Sequence, residues 1–264
     1  MASRRVRLTL VYPGCLLIGA LLATVTHGPA RLAGTALKLL GEERVTLDNP
    51  GGTLWSGSAD LVVRTPAATL RLPGIAWQIG VSEIWAGRLL ARISSASAEL
   101  NGEIGITLEP GSITLRTQGL HLAAGVIASQ IPALAAIGPA ADVQIDTPAL
   151  ALDHGQVKGE ASIRVLDTRS TRLGAMGDYL IALTGTPDGV DFVASTLRGA
   201  VRLAGRGQAQ MAGGFRFLGE VRADGPERER LTGGLASFGV PQADGSVRLA
   251  WPVGAGGPGS GERR

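Results

Sequence analysis

Ile104-Gly105-Ile106-Thr107-Leu108-Glu109-Pro110-Gly111-Ser112-Ile113-Thr114-Leu115 is the stretch that decides the fold of this chain. Isoleucine and leucine alternate with small or polar residues on both sides of Glu109-Pro110-Gly111-Ser112. A period of two is that of a strand with one face buried. Proline sets φ where a turn begins and glycine accepts positive φ where it closes, so the tetrapeptide predicts a hairpin.

The same period extends in both directions. Upstream it runs through Leu61 and Val63, Leu70 and Leu72, Ile75, Trp77 and Ile79, and Leu89, Ala91 and Ile93, starting from about Val45. Ser82 to Gly87 breaks the alternation and reads as a helical turn. Downstream, Leu122 to Ile137 is alanine-rich with a spacing of three to four. That predicts one or two short helices interrupted by Pro132, at the midpoint of the domain. Strands resume at Val143 and Ile145, Leu150 and Leu152, Ile163 and Val165, Leu180 and Ala182, Val190 to Ala194, Val201 and Leu203, and Phe215 to Val221. Asp153-His154-Gly155, Pro187-Asp188-Gly189 and Gly205-Arg206-Gly207 are read as turns between them. Glu227 to Phe238 fits a short amphipathic helix, and Val247 to Trp251 a last strand after the Asp244-Gly245 turn. The expected fold is mainly β: an antiparallel, curved or groove-like multi-stranded domain over 45–253 with a few short helices. A glycine-rich tail, 254–264, has almost nothing to bury and is expected to be disordered.

Composition agrees with many tight turns. The 264 residues include 39 glycines, roughly twice the usual share, and only 4% aromatics. The glycines follow no every-third-residue rule, which excludes collagen. Net charge is +3, with arginines scattered singly rather than in a stripe, so nucleic acid is not an expected partner. Such basicity suits a chain beside an anionic membrane surface or simply a solvated face. One cysteine, Cys15, excludes an internal disulfide and a thiolate cluster.

Leu8 to Thr26 holds nineteen residues without a charge. At about 1.5 Å per residue it nearly spans a hydrocarbon core of about 30 Å. Arg4, Arg5 and Arg7 precede it, and Arg31 and Lys38 beyond it are offset by Glu42 and Glu43. The positive-inside rule therefore makes 1–7 a cytoplasmic N-terminus, 8–27 a membrane anchor, and everything after about Gly28 external. A cleaved signal peptide would begin similarly, but no clean Ala-x-Ala site follows Leu22. Tyr12 and Pro13 are poor residues before a lipoprotein cysteine. Pro29 to Leu40 places apolar residues at helical spacing, giving a juxtamembrane helix and linker over 28–44.

Chemistry is sparse. His27, His121 and His154 lie far apart, none at ligand spacing with another His or Cys, so no metal or cofactor is expected. No nucleophile elbow or phosphate loop occurs, and the acidic residues are isolated on alternating strands. No enzyme activity is assigned. The clearest local signature is Gly51-Gly52-Thr53-Leu54-Trp55-Ser56-Gly57, where glycines let the chain bend tightly on both sides of one indole. The indole can plug the end of a β core, the preferred reading, or anchor a partner. Trp77 and Trp85 are expected to join it.

These residues resemble the type II secretion system protein N family. After an N-terminal apolar stretch come Gly52-Thr53-Leu54-Trp55-Ser56-Gly57, Ile75-Ala76-Trp77-Gln78 and Gly87-Arg88-Leu89. Leu173 to Tyr179, ending in Gly177-Asp178-Tyr179, follows, then Leu197 to Leu203, the helix near Leu231 and the strand ending near Trp251. The resemblance covers nearly the whole chain, departing in the glycine-rich tail and in Pro13. It implies a non-catalytic accessory subunit in the bacterial inner membrane, with its main domain in the periplasm and other secretion subunits as partners. Gly52 to Gly57, Trp77, Gly177, Asp178 and Tyr179 are its motif residues. The alternative function is a lipid-handling protein whose curved sheet holds acyl chains in an apolar trough, resembling large membrane-anchored β-groove proteins.

Overall fold

The computed structural model describes residues 28–31, 34, 45–64, 69–125, 139–171, 173–225, 228–236 and 239–251. The apolar stretch Leu8 to Thr26, most of the juxtamembrane segment and the tail lie outside them. No helix among the described residues is long and apolar enough to cross a membrane.

The described chain is one antiparallel sheet wound as a meander. Its strands are β1 (Val45–Gly52), β2 (Ser56–Arg64), β3 (Thr69–Gly80), β4 (Leu89–Ala96), β5 (Leu100–Glu109), β6 (Ser112–Ala123) and β7 (Pro139–Asp153). They continue as β8 (Gln156–Ser170), β9 (Gly174–Thr186), β10 (Gly189–Gly199), β11 (Val201–Gln210), β12 (Phe215–Ala223), β13 (Val240–Pro241) and β14 (Val247–Trp251). Each strand from β1 to β11 pairs with the next, β14 pairs with β12, and β13 forms the far edge, so the sheet is open. The 109–112 hairpin is present, with Glu109 opposite Ser112 and Gly111 at φ 80°. Ser82–Ala86 is a 3-10 turn, and one α-helix, α1 (Arg228–Leu235), follows β12.

Alternation in the sequence slips phase several times, and the register shows why. In β3, Leu70 and Leu72 are even-numbered while Ile75, Trp77 and Ile79 are odd. Leu72 faces Leu61 and Ile75 faces Ala59, so three steps on β3 match two on β2. One extra residue at Pro73-Gly74 turns the later side chains back to the same face, which is what a β-bulge does. Similar bulges carry Leu115 and Leu120 of β6, and Ile145 and Leu150 of β7, on one face. Apparently separate apolar runs are thus single long strands.

Two sequence expectations need correction. Gly205-Arg206-Gly207 is not a turn but the middle of β11: Gly205 faces Ala194 and Gly219, and Gly207 faces Phe192 and Phe217. A Cβ on Gly205 would stand 2.5 Å from the Phe217 ring, and one on Gly207 would overlap the Phe192 ring. The glycines make room for large rings on neighbouring strands, a role that sequence punctuation imitates. The predicted helical segment also begins later, since Leu122 and Ala123 complete β6, where Leu122 pairs with Leu100 and Val143. Ala124 and Gly125 are helical, and 126–138 lies outside the described residues.

Because the sheet is a meander, successive connections alternate between its two ends. One end holds both buried clusters. In the first, Leu231 and Leu235 of α1 pack on Leu173, Val201, Val221, Ala223 and Val247. The second is Leu72, Ile75, Leu100 and Leu120. Leu231 is 0% exposed, so α1 covers the first cluster as a hydrophobic lid.

Candidate functional site

The Gly52–Gly57 segment makes the β1–β2 turn. Thr53 and Ser56 zip it: the Thr53 amide donates to the Ser56 carbonyl at 2.8 Å, and the Ser56 amide to Thr53 Oγ1 at 3.1 Å. Leu54 and Trp55 are left at the tip. Trp77, directly opposite Gly57 on β3, donates its indole N–H to the Leu54 carbonyl at 3.0 Å. A Cβ on Gly57 would lie 2.5 Å from both that indole and the Gly51 carbonyl, so only glycine fits between the tryptophan of β3 and the backbone of β1. Trp55 is half-buried, and its carbonyl accepts from the Ile79 amide at 2.6 Å. Trp85 does not join this group: it is 94% exposed on the 3-10 turn. Gly28 and Ala30 meet the same turn, the Leu54 amide donating to Gly28 at 2.7 Å and the Ala30 amide to Gly52 at 3.1 Å.

Gly177-Asp178-Tyr179 begins β9, far across the sheet and at the opposite end from the β1–β2 turn. The structure therefore does not bring the two sets of motif residues together. Asp178 is buried, accepts the Asp167 amide at 2.8 Å through Oδ1, and binds Arg198 Nε through Oδ2. The Asp167 amide first, then Arg198, holds its carboxyl below the usual carboxylate range. Tyr179 donates its hydroxyl to the Val201 carbonyl at 3.1 Å, and burial pushes its pKa up to about 12.

Asp178 is one of three carboxylates used in the same way, and sequence reading missed the other two. Asp60 accepts the Gly74 amide at 3.0 Å, and Asp146 accepts the Gly119 amide at 2.7 Å. Each donor sits at a register shift with positive φ: 66° at Gly74, 59° at Gly119 and 50° at Asp167. The second carboxylate oxygen takes a side chain each time, from Asn49, Arg164 or Arg198. A bulge frees an amide from the ladder, and an aspartate on the adjoining strand satisfies it. The legible signal was an aspartate on one strand paired with a phase slip on its neighbour.

The two faces of the sheet differ in chemistry. One row crosses eight strands through Leu120, Ile145, Ile163, Ile181, Ala194, Gly205, Gly219 and Leu249. Beside it run Leu183, Phe192, Gly207, Phe217 and Trp251, with Phe192 stacked on Phe215 and Phe217 at 5.4 and 5.9 Å. The opposite face carries charge, including Arg92 paired with Glu103 at 2.6 Å and Arg164 with Asp146 at 3.0 Å. An open hollow of about 1230 Å³ lies on that charged face, lined by Gln78, Arg92, Glu103, Arg116 and Gln118 among others. His121 pairs with Asp142, and His154 with Asp153, at exposed positions that include no motif residue.

The family model described as type II secretion system (T2SS), protein N, matches residues 43–250. No curated protein and no solved structure matches the chain.

Proposed function

This chain belongs to the type II secretion system protein N family, and from that premise we propose that it is a non-enzymatic accessory subunit of the secretion machinery. In this reading Leu8 to Thr26 holds it in the inner membrane with the N-terminus cytoplasmic, and the β domain contacts other subunits in the periplasm. The family match over 43–250 carries the reading. The open meander supports it, because an unclosed sheet has strand edges to which a neighbouring chain can add. Crosslinking in intact cells should trap other secretion subunits through the β domain. A chain that crosslinks only to unrelated envelope proteins would defeat the proposal, as would a reporter fused after Trp251 that is active in the cytoplasm.

The apolar rows favour a second reading, in which the sheet holds the acyl chains of an envelope lipid. A sheet with one apolar face needs a cover, and a fatty chain has matching chemistry. Native mass spectrometry of the full-length chain should then show phospholipid adducts that Ile163→Arg and Ile181→Arg abolish. Adducts absent from the unaltered chain would remove this alternative.

A further inference from the structure

The end of the sheet opposite α1 carries a patch that neither the family nor the motif residues explain. The connections 53–55, 81–88 and 110–111 all lie at this end, since the meander alternates. There Val81 is 47% exposed, Ile84 42%, Trp85 94%, Leu90 40%, Leu108 37% and Ile113 46%. The 3-10 turn's own charges, Glu83 and Arg88, neutralise each other at 3.0 Å. Leu108 and Ile113 share a cross-strand row with Leu89, next to the turn that carries the almost free indole, while Leu90, opposite Thr107, edges the other face. Large apolar side chains thus line both faces of this end and mark a surface that meets something other than water.

The path of the chain identifies what it meets. The Gly28 carbonyl is fixed to Leu54 at this end, and the uncharged stretch Leu8 to Thr26 stops two residues earlier. Two extended residues reach about 7 Å at most. The headgroup layer on one side of a hydrocarbon core is of similar depth, roughly 5–7 Å. A chain that leaves the core at Thr26 therefore delivers this end of the sheet directly into the interfacial layer, where tryptophan is the favoured residue.

We propose that this end of the sheet, through Val81, Ile84, Trp85, Leu90, Leu108 and Ile113, rests in the interfacial layer of the lipid bilayer. The proposal rests on the reading of Leu8 to Thr26 as a membrane anchor. Met211, Phe215 and Trp251 are exposed at the same end but belong to far strands. They lie at least five strands, roughly 24 Å, beyond β6, so the bilayer contact is confined to the β3 to β6 part of this end.

The test uses the full-length chain with Cys15→Ser and one new cysteine at a time, Ile84→Cys, Leu108→Cys or Ile113→Cys, each bearing an environment-sensitive fluorophore. Ala98→Cys, exposed at the opposite end, is the control. The protein is reconstituted in phosphatidylethanolamine–phosphatidylglycerol vesicles containing a nitroxide-labelled phosphatidylcholine. Lipid-borne nitroxide should quench the three patch labels several-fold more than the Ala98 label, with iodide showing the reverse order. Flotation of the vesicles in alkaline carbonate reads the anchor separately. Chain that floats while its patch labels behave like the Ala98 label overturns the interfacial contact and leaves the anchor standing. Patch quenching in chain that carbonate strips away keeps the contact and overturns the anchor. If neither is seen, both fall. Labels shielded from both quenchers would mean a second copy covers the patch, which also overturns the proposal.

Discussion

Asp178 on β9 accepts the backbone amide of Asp167 on β8 at 2.8 Å, from a residue whose φ of 50° takes that amide out of the ladder. Positive φ is costly for a non-glycine residue, and the buried carboxylate helps hold it. Asp178 is held below its unfolded-state pKa of about 3.9. Its contribution is therefore fully present above that value and is lost as pH falls through the folded-state value. Asp178→Asn should lower the thermal midpoint at neutral pH and flatten its fall in the acid range. Melting curves of both proteins from pH 6 downward check this; parallel acid profiles would contradict it.

Gly207→Ala should destabilise the sheet by about 1–3 kcal/mol, because the new methyl group overlaps both the Phe192 ring and the Arg216 carbonyl of the next strand. Pairing it with Phe192→Leu should recover part of the loss. A double-mutant cycle in urea measures the coupling, and additive effects would show that ring and glycine do not interact.

Trp77→Phe keeps an aromatic ring over Gly57 but removes the N–H that the Leu54 carbonyl accepts. The expected cost is about 1 kcal/mol from the bond, with local loosening of the β1–β2 turn. Hydrogen exchange should be faster at the Leu54 and Ile79 amides, and unchanged at β9.

Leu231→Ala removes a side chain that is 0% exposed among Leu173, Val201, Val221, Ala223 and Val247. The loss should be about 2–5 kcal/mol. A drop of that size in the unfolding free energy from urea titration, without change in the exchange rates of β1 to β3 in native conditions, would place α1 as the lid of the C-terminal end.

The sequence by itself determined the strand content, the 109–112 hairpin, the 3-10 turn after β3 and the helix at 228–235. These are local matters: period, turn residues and capping act within a few positions. It also carried the family, because the glycine-flanked tryptophan motif is written in consecutive residues. Tertiary structure alone decided which side chains share a face across the bulges, that Gly205-Arg206-Gly207 serves neighbouring rings, and that Asp60, Asp146 and Asp178 do one job. Each depends on a partner on another strand, whose register no single stretch specifies. Trp85 shows the same division. The expectation puts it beside Trp55 and Trp77, but the 3-10 turn carries it past the end of β3, where it is 94% exposed.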